Sequence, residues 1–298
     1  MVTAPETRGT LRFACTQCGA CCNRSPEVVL SEAAALSDVF VFRLMFQLYW
    51  LPRALEDYQA PGARPADRGA AFYETKRLLN AYAARKYSAR LRRDGKASDY
   101  TKYLIISALA LDTSLGACSA LNGRHCGIYE RRPFACRTLP FHYSRPEALA
   151  ESDLKLFVET PGHDCETGDG GEIVLDAGRI IDRGMADARA DALRLAGCER
   201  RWTDAIVRRM SAGPSARDPL PSLGEIEANA RFGVTTASMR IAWQIAGDAG
   251  LLAADQWRGL VAAQLAVIDR TLAAPRCPPD TREALVALRG EYRHHLNG

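Results

Sequence analysis

The chain has 298 residues, 47% hydrophobic and 25% charged, with 15 prolines and 10 cysteines, a globular composition that excludes disorder, collagen and coiled coil. Its 39 basic and 35 acidic residues leave a formal charge of +4, which alone gives no specific nucleic-acid signal. No run reaches the roughly 18 apolar residues of a membrane span, because the best candidate, VFVFRLMFQLYWL (39–51), is short and broken by Arg43.

The opening MVTAPETRGTLRF carries Arg8 and Arg12 but no apolar stretch of a secretory signal. The expected compartment is therefore cytoplasmic, where clustered cysteines are read as metal or redox chemistry before disulfides. Val28, Val29 and Leu30 form a brief β-like run, and Ser31 is placed to cap a helix over SEAAALSDVFVFRLMF. A break at QAPGARPADRG (59–69) precedes a second helix, in which Leu79, Ala83, Tyr87 and Leu91 recur at i+4 spacing until Asp94 and Gly95 end it. Residues 61 to 102 hold eleven Lys or Arg against four Asp or Glu, a solvated face or a patch for an acidic partner. TKYLIISALALD (101–112) reads as a buried strand leading to Cys118.

EIVL (172–175) reads as one more short strand, before a helix over roughly residues 177 to 209 with an interruption near Gly197. AGPSARDPLPSLGE (212–225) has the composition of a linker. Beyond it Trp257, Val261, Leu265, Ile268 and Leu272 share a helical face, and Asp280 with Glu283 resembles a capping box opening the last helix. The expected fold class is mainly α with short β-strands. A cysteine-cluster metal-binding domain spans about 13–170 with a basic helical insertion at about 51–100, and a helical C-terminal region spans about 171–298.

Four cysteines fall within eight residues of FACTQCGACC (13–22): Cys15, Cys18, Cys21 and Cys22. Two intervening residues let a tight turn bring successive sulfurs onto one cation, with Gly19 and Ala20 small enough to let the backbone curl. Thiolates packed this closely repel one another, so such a nest is stable at neutral pH chiefly with a cation bound. Cys118, Cys126 and Cys136 follow in GACSALNGRHCGIYERRPFACRTLPF (116–141), and Cys165 in PGHDCETGDGG (161–171). Adjacent Cys21 and Cys22 point to opposite sides of extended backbone, which suits two sites. One arrangement has Cys15, Cys18 and Cys21 joined by one remote cysteine, and Cys22 by the others; a single four-ligand centre with spare thiols is the competing count.

All-sulfur ligation suits zinc or iron–sulfur. C-x2-C-x2-C has the ferredoxin-like spacing completed by a remote cysteine, whereas zinc ribbons show a second close pair, so a [4Fe–4S] cluster is favoured with zinc as the alternative. Four thiolates on a [4Fe–4S]2+ core carry a net charge of about −2, which Arg124, Arg131, Arg132 and Arg137 lie near enough in sequence to compensate. Tyr129 and Phe134 are candidates to pack over the site and limit solvent access, Tyr129 joining Arg132 and Arg137 as a cofactor contact. His125, His142 and His163 read as neighbours of the site or surface residues, Cys198 as a core thiol beside Leu193 and Leu195, and Cys277 as a loop thiol. No histidine follows C-x-x-C for covalent haem, and Ser25 stands where radical S-adenosylmethionine spacing needs a cysteine.

Phe13 to Cys22 satisfies F-x-C-x-x-C-G-x-C-C, and Gly116, Cys118, Leu121, Cys126, Ile128, Tyr129, Arg132, Pro133, Cys136, Arg137 and Pro140 satisfy G-x-C-x-x-L followed by C-x-I-Y-x-x-R-P-x-x-C-R-x-x-P. A later C-x-G-x-G turn is matched loosely by Cys165, Gly168 and Gly170. In these motifs the chain resembles the CxxCxxCC cysteine-cluster family, the YkgJ-type proteins described as zinc- or iron-chelating or iron–sulfur-cluster domains. The resemblance covers about 13–36 and 103–170 and implies metal ligation by the eight cysteines. A related branch resembles flagellin lysine N-methylases, cluster-containing enzymes that use S-adenosylmethionine; the wider spacing of that branch's first motif is missing here. The sequence reading is thus a metal-binding protein with a redox or protein-modifying role and an unidentified protein or small-molecule partner.

Overall fold

The computed structural model describes residues 9–60, 64–93, 96–112, 117–213, 219–230, 233–274 and 277–297. The chain opens with β1 (Leu11–Phe13), β2 (Glu27–Val28) and the short helix α1 (Leu30–Ala35), then runs into β3 (Phe42–Pro52). Helix α2 (Arg68–Tyr82) leads into two long strands, β4 (Ala83–Arg93) and β5 (Lys96–Ala110). A small hairpin, β6 (Leu121–Asn122) with β7 (His125–Cys126), precedes helices α3 (Phe134–Arg137) and α4 (Ala150–Val158). Strands β8 (Glu172–Asp176) and β9 (Arg179–Ile180) lead to α5 (Arg183–Ser211) and α6 (Leu223–Asn229). Strand β10 (Thr235–Ser238) and helices α7 (Met239–Asp248), α8 (Ala254–Ala273) and α9 (Pro279–Asn297) complete the order.

The expectation of a mainly α fold is corrected. The chain is about 51% helical and 21% strand, and a five-stranded antiparallel sheet ordered β10-β3-β5-β2, with β4 also on β5, runs through its core. The helix expected over 31–46 stops at Ala35, and Ser31 lies inside its first turn rather than at its cap. From Phe42 the aromatic-rich run becomes β3, paired with β5 from Phe42↔Ala110 to Pro52↔Tyr100, as suits residues that pack well on a pleated surface. The helix expected through Leu91 ends at Tyr82. A spacing of four is a multiple of two as well as close to one helical turn, so the pattern fits a strand as readily as a helix. The strand wins, with Lys86, Ser88 and Arg90 exposed along it, and a bulge between Ala83 and Arg85 sends Ala83 to the face of Tyr103 and Ile105 and Tyr87 to that of Leu104. The basic stretch at 51–100 is thus helix followed by strand.

The strand expected over 101–112 forms the inner part of β5, and that over 172–175 forms β8. Helix α5 runs unbroken through Gly197 for 29 residues, about 44 Å at 1.5 Å per residue. Its N-terminus is capped by Asp182, which accepts from the Met185 amide at 2.7 Å. Asp280 lies inside α9 and does not cap it. Residues 214–218 of the expected linker and Asp94 and Gly95 lie outside the described residues.

The core packs Phe42, Leu44, Phe46 and Leu104 of the sheet against Ile206, Trp243, Ile268 and Leu285 of the helices. Trp202 Nε1 donates to the Ala242 carbonyl at 2.9 Å and fastens α5 to α7. Gln264 of α8 is fully buried. Its Oε1 accepts from the Phe42 amide at 2.8 Å and its Nε2 donates to the carbonyls of Ser37 and Phe40, filling the backbone valences between α1 and β3. Cys198 is exposed, which corrects its reading as a core thiol; Cys277 packs at the core's edge. Among the described residues no helix is long and apolar enough to cross a membrane.

Candidate metal centre

Three segments meet around one cavity of about 480 Å³, and all eight motif cysteines line it. The first segment leaves β1 and is held by an antiparallel bridge, with the Ala14 amide donating to Glu166 at 2.7 Å and the Glu166 amide returning to Ala14 at 3.1 Å. The bridge, with the Thr16 hydroxyl donating to the Asp164 carbonyl, sets Cys15 and Cys165 on neighbouring stretches of chain. The backbone then reverses through Gln17 and Gly19, at φ 56° and 79°, into a single turn over Ala20–Cys22. Gly19 is needed there: its φ is left-handed, and a Cβ would press on the Arg124 carbonyl at 3.4 Å.

The second segment is joined to the first by the Cys118 amide, which donates to the Cys22 carbonyl at 2.7 Å. The β6–β7 hairpin folds back so that the Gly127 amide reaches the Ala120 carbonyl at 2.8 Å, where a Cβ on Gly127 would sit 3.0 Å from that oxygen. Arg124 Nε donates to the Cys18 carbonyl at 3.3 Å, and His125 Nδ1 pairs with Gln17 Oε1 at 2.9 Å. These bonds place Cys126 at the cavity and leave His125 out of its lining. Cys136 sits in α3, whose first amide, on Phe134, donates to Glu32 at 2.8 Å.

The electrostatic influences among the thiols divide them in two. Cys21 feels Cys15 and Cys18, and Cys165 feels Cys18 and Cys15. Cys136 feels Cys118, Cys22 and Cys126, and Cys118 feels Cys22 and Cys126. The pair that crosses between the sets is Cys21–Cys22, whose hydrogen bond holds the Cys21 proton and brings Cys22 down to about 7, with help from Arg132. Burial and the three neighbouring thiols push Cys136 up to about 12. Backbone N–H groups of Asp164 and Ala20 lower Cys18. All eight are free thiols, Cys15 exposed and the rest half-buried.

Among the described residues, no three Cys, His, Asp or Glu side chains close around a point as ligands of one ion. The eight thiols share the lining of one cavity. As a donor set they fit thiolate-ligated metal: eight soft ligands in two sets of four, whose mutual repulsion a bound cation would reverse. Arg124, Arg132, Arg137 and Tyr129 line the cavity as the spacing suggests, and Arg24 joins them without any sequence motif pointing to it. The Arg132 guanidinium lies 3.7 Å over the Tyr129 ring, which is 43% exposed. Arg131 turns away to pair with Asp38 at 2.9 Å and takes no part in the lining. His163 lines the cavity with its Nδ1 held 2.7 Å from the Phe157 carbonyl. No family model, curated protein or solved structure matches the chain.

Proposed function

We propose that this chain is a metal-binding protein with two thiolate-ligated centres, one held by Cys15, Cys18, Cys21 and Cys165 and the other by Cys22, Cys118, Cys126 and Cys136. Iron–sulfur clusters of the [4Fe–4S] type are the favoured occupants, ahead of zinc. The observation that carries the reading is that separate stretches of chain bring all eight thiols to one cavity, the Ala14–Glu166 bridge setting Cys15 beside Cys165 and the Cys118–Cys22 backbone bond joining the second motif to the first. The motif resemblance to the CxxCxxCC family supports it, and so does the cavity of about 480 Å³ that all eight cysteines line. Such clusters, when bound, supply one-electron redox chemistry. Of the protein's own groups, Arg24, Arg124, Arg132 and Arg137 bring positive charge to the cavity and offset the thiolates, while Tyr129 under Arg132 screens one side from water.

The test is anaerobic purification followed by iron, acid-labile sulfide and zinc analysis. The expected result is iron and sulfide in matching amounts, about eight of each per chain for two [4Fe–4S] clusters, falling by about half in Cys18→Ala and in Cys136→Ala. Two zinc ions without sulfide would replace the cluster reading with a structural or delivery role. A protein free of metal would overturn both.

A further inference from the structure

A second cavity, of about 440 Å³, is lined by α2, β3, β5, α5 and the chain around 142–149, and contains no cysteine. Val29 and Tyr143 of its wall pack with Phe134 of α3, the helix that bears Cys136. The volume is that of a small-molecule site, and the lining includes five large aromatic residues, Tyr49, Trp50, Tyr58, Tyr82 and Tyr143.

Its charged groups are unevenly committed. Arg145 holds Asp153 through two nitrogens, at 2.9 and 2.7 Å. Arg200 donates to the carbonyls of Asn80 and Ala81. His142 is neutral, because burial and Arg145, Arg189 and Arg24 push it down to about 4. Glu199 accepts from the Leu30 and Ser31 amides at 3.2 and 2.7 Å. Glu27 differs: its carboxylate accepts from the Ser107 hydroxyl at 2.9 Å, while Arg24, which lines the cysteine cavity, acts on it only through space. A carboxylate takes about four hydrogen bonds, so Glu27 keeps acceptor capacity beside the cavity. Burial accordingly raises its pKa. The Tyr82 hydroxyl, also in the lining, is buried and makes no hydrogen bond. An unmatched buried polar group is costly, and a carboxylate without a cation more so.

We propose that this cavity binds a small organic cation, a protonated amine on an apolar body, with the ammonium donating to the Glu27 carboxylate and to the Tyr82 hydroxyl oxygen, and the body against the tyrosine rings. Arg145 is paired with Asp153 and Arg200 is held at the Asn80 and Ala81 carbonyls, which leaves the acceptors of Glu27 and Tyr82 to the ligand, and tyrosine faces favour a cation over a neutral or anionic group of the same shape. The proposal concerns a cavity distinct from the cysteine site and stands or falls separately from it.

The test is calorimetric titration of the protein as purified with benzylamine, benzyl alcohol and benzoate. Benzylamine is expected to bind at least about tenfold more tightly than benzyl alcohol, with benzoate weakest. Glu27→Gln is expected to weaken benzylamine by about tenfold and Tyr82→Phe by several-fold. Equal affinity for amine and alcohol, preference for benzoate, or no amine binding overturns the proposal. So does unchanged affinity in a folded Glu27→Gln protein. If that variant does not fold, the amine-to-alcohol ratio in the unaltered protein and the Tyr82→Phe titration decide.

Discussion

The amide of Cys118 donates to the carbonyl of Cys22 at 2.7 Å. That bond lies next to the junction where the cysteine set changes: Cys22 raises the thiols of Cys118 and Cys136, while its chain neighbour Cys21, besides its hydrogen bond to Cys22, is acted on by Cys15 and Cys18. Two consecutive residues thus face two groups of thiols, and each proposed centre is completed by a different remote segment.

The division predicts a pattern among double variants. Cys21→Ser combined with Cys165→Ser should lose one centre and no more, because both changes fall in one set. Cys21→Ser combined with Cys22→Ser should lose both centres. Metal per folded chain is the measurement, and equal losses from the two pairs would show that the thiols act as one site.

Gln264 supports three backbone groups at the step from α1 to β3. Gln264→Leu keeps the volume but leaves the Phe42 amide and the Ser37 and Phe40 carbonyls buried without that partner. The expected loss is about 3 kcal/mol in urea unfolding; a loss under about 1 kcal/mol would mean that these groups find other partners.

His142 provides a pH signature. Its folded pKa is depressed from 6.5 to about 4, first by burial and then by the surrounding arginines. Between those values the unfolded chain binds more protons, so this contribution is complete above pH 6.5 and is lost as the pH falls towards 4. The full shift corresponds to about 3 kcal/mol. His142→Asn keeps an acceptor for Ser144, which lies 2.8 Å from Nδ1, and should show a correspondingly flatter decline in stability from pH 7 to pH 4. Parallel wild-type and variant curves would place the imidazole in contact with water.

Glu32 has the opposite sign. Burial lifts its carboxyl from 4.5 to about 7, against the hydrogen bond from the Phe134 amide. Its contribution is complete below pH 4.5 and is lost as the pH rises through 7. Glu32→Gln retains an acceptor for Phe134 and should therefore be more stable than wild type at pH 8, by about 3 kcal/mol, and equal to it at pH 4. Denaturation at the two pH values checks this; a variant less stable at pH 8 would show that the ionised form is the one the fold favours.

Local signals in the chain were enough to place the strand before Cys118, the short strand at 172–175, the long helix after it, and the concentration of thiols at 15–22. Each depends on residues near one another, where side-chain periodicity and spacing act directly. The same periodicity was ambiguous for Ala83 and Tyr87, whose spacing suits a strand and a helix alike, and the aromatic run from Phe42 became a strand because β5 lies beside it. Arg24, Glu27 and Tyr82 carry no motif and were legible only once their walls were assembled. The adjacency of Cys21 and Cys22 already suggested two sets, but which remote cysteine lies near which part of the turn belongs to the tertiary structure: the Ala14–Glu166 backbone bonds set Cys15 beside Cys165 and the Cys118–Cys22 bond brings those two together, and bonds between distant segments leave no trace in the spacing of either one.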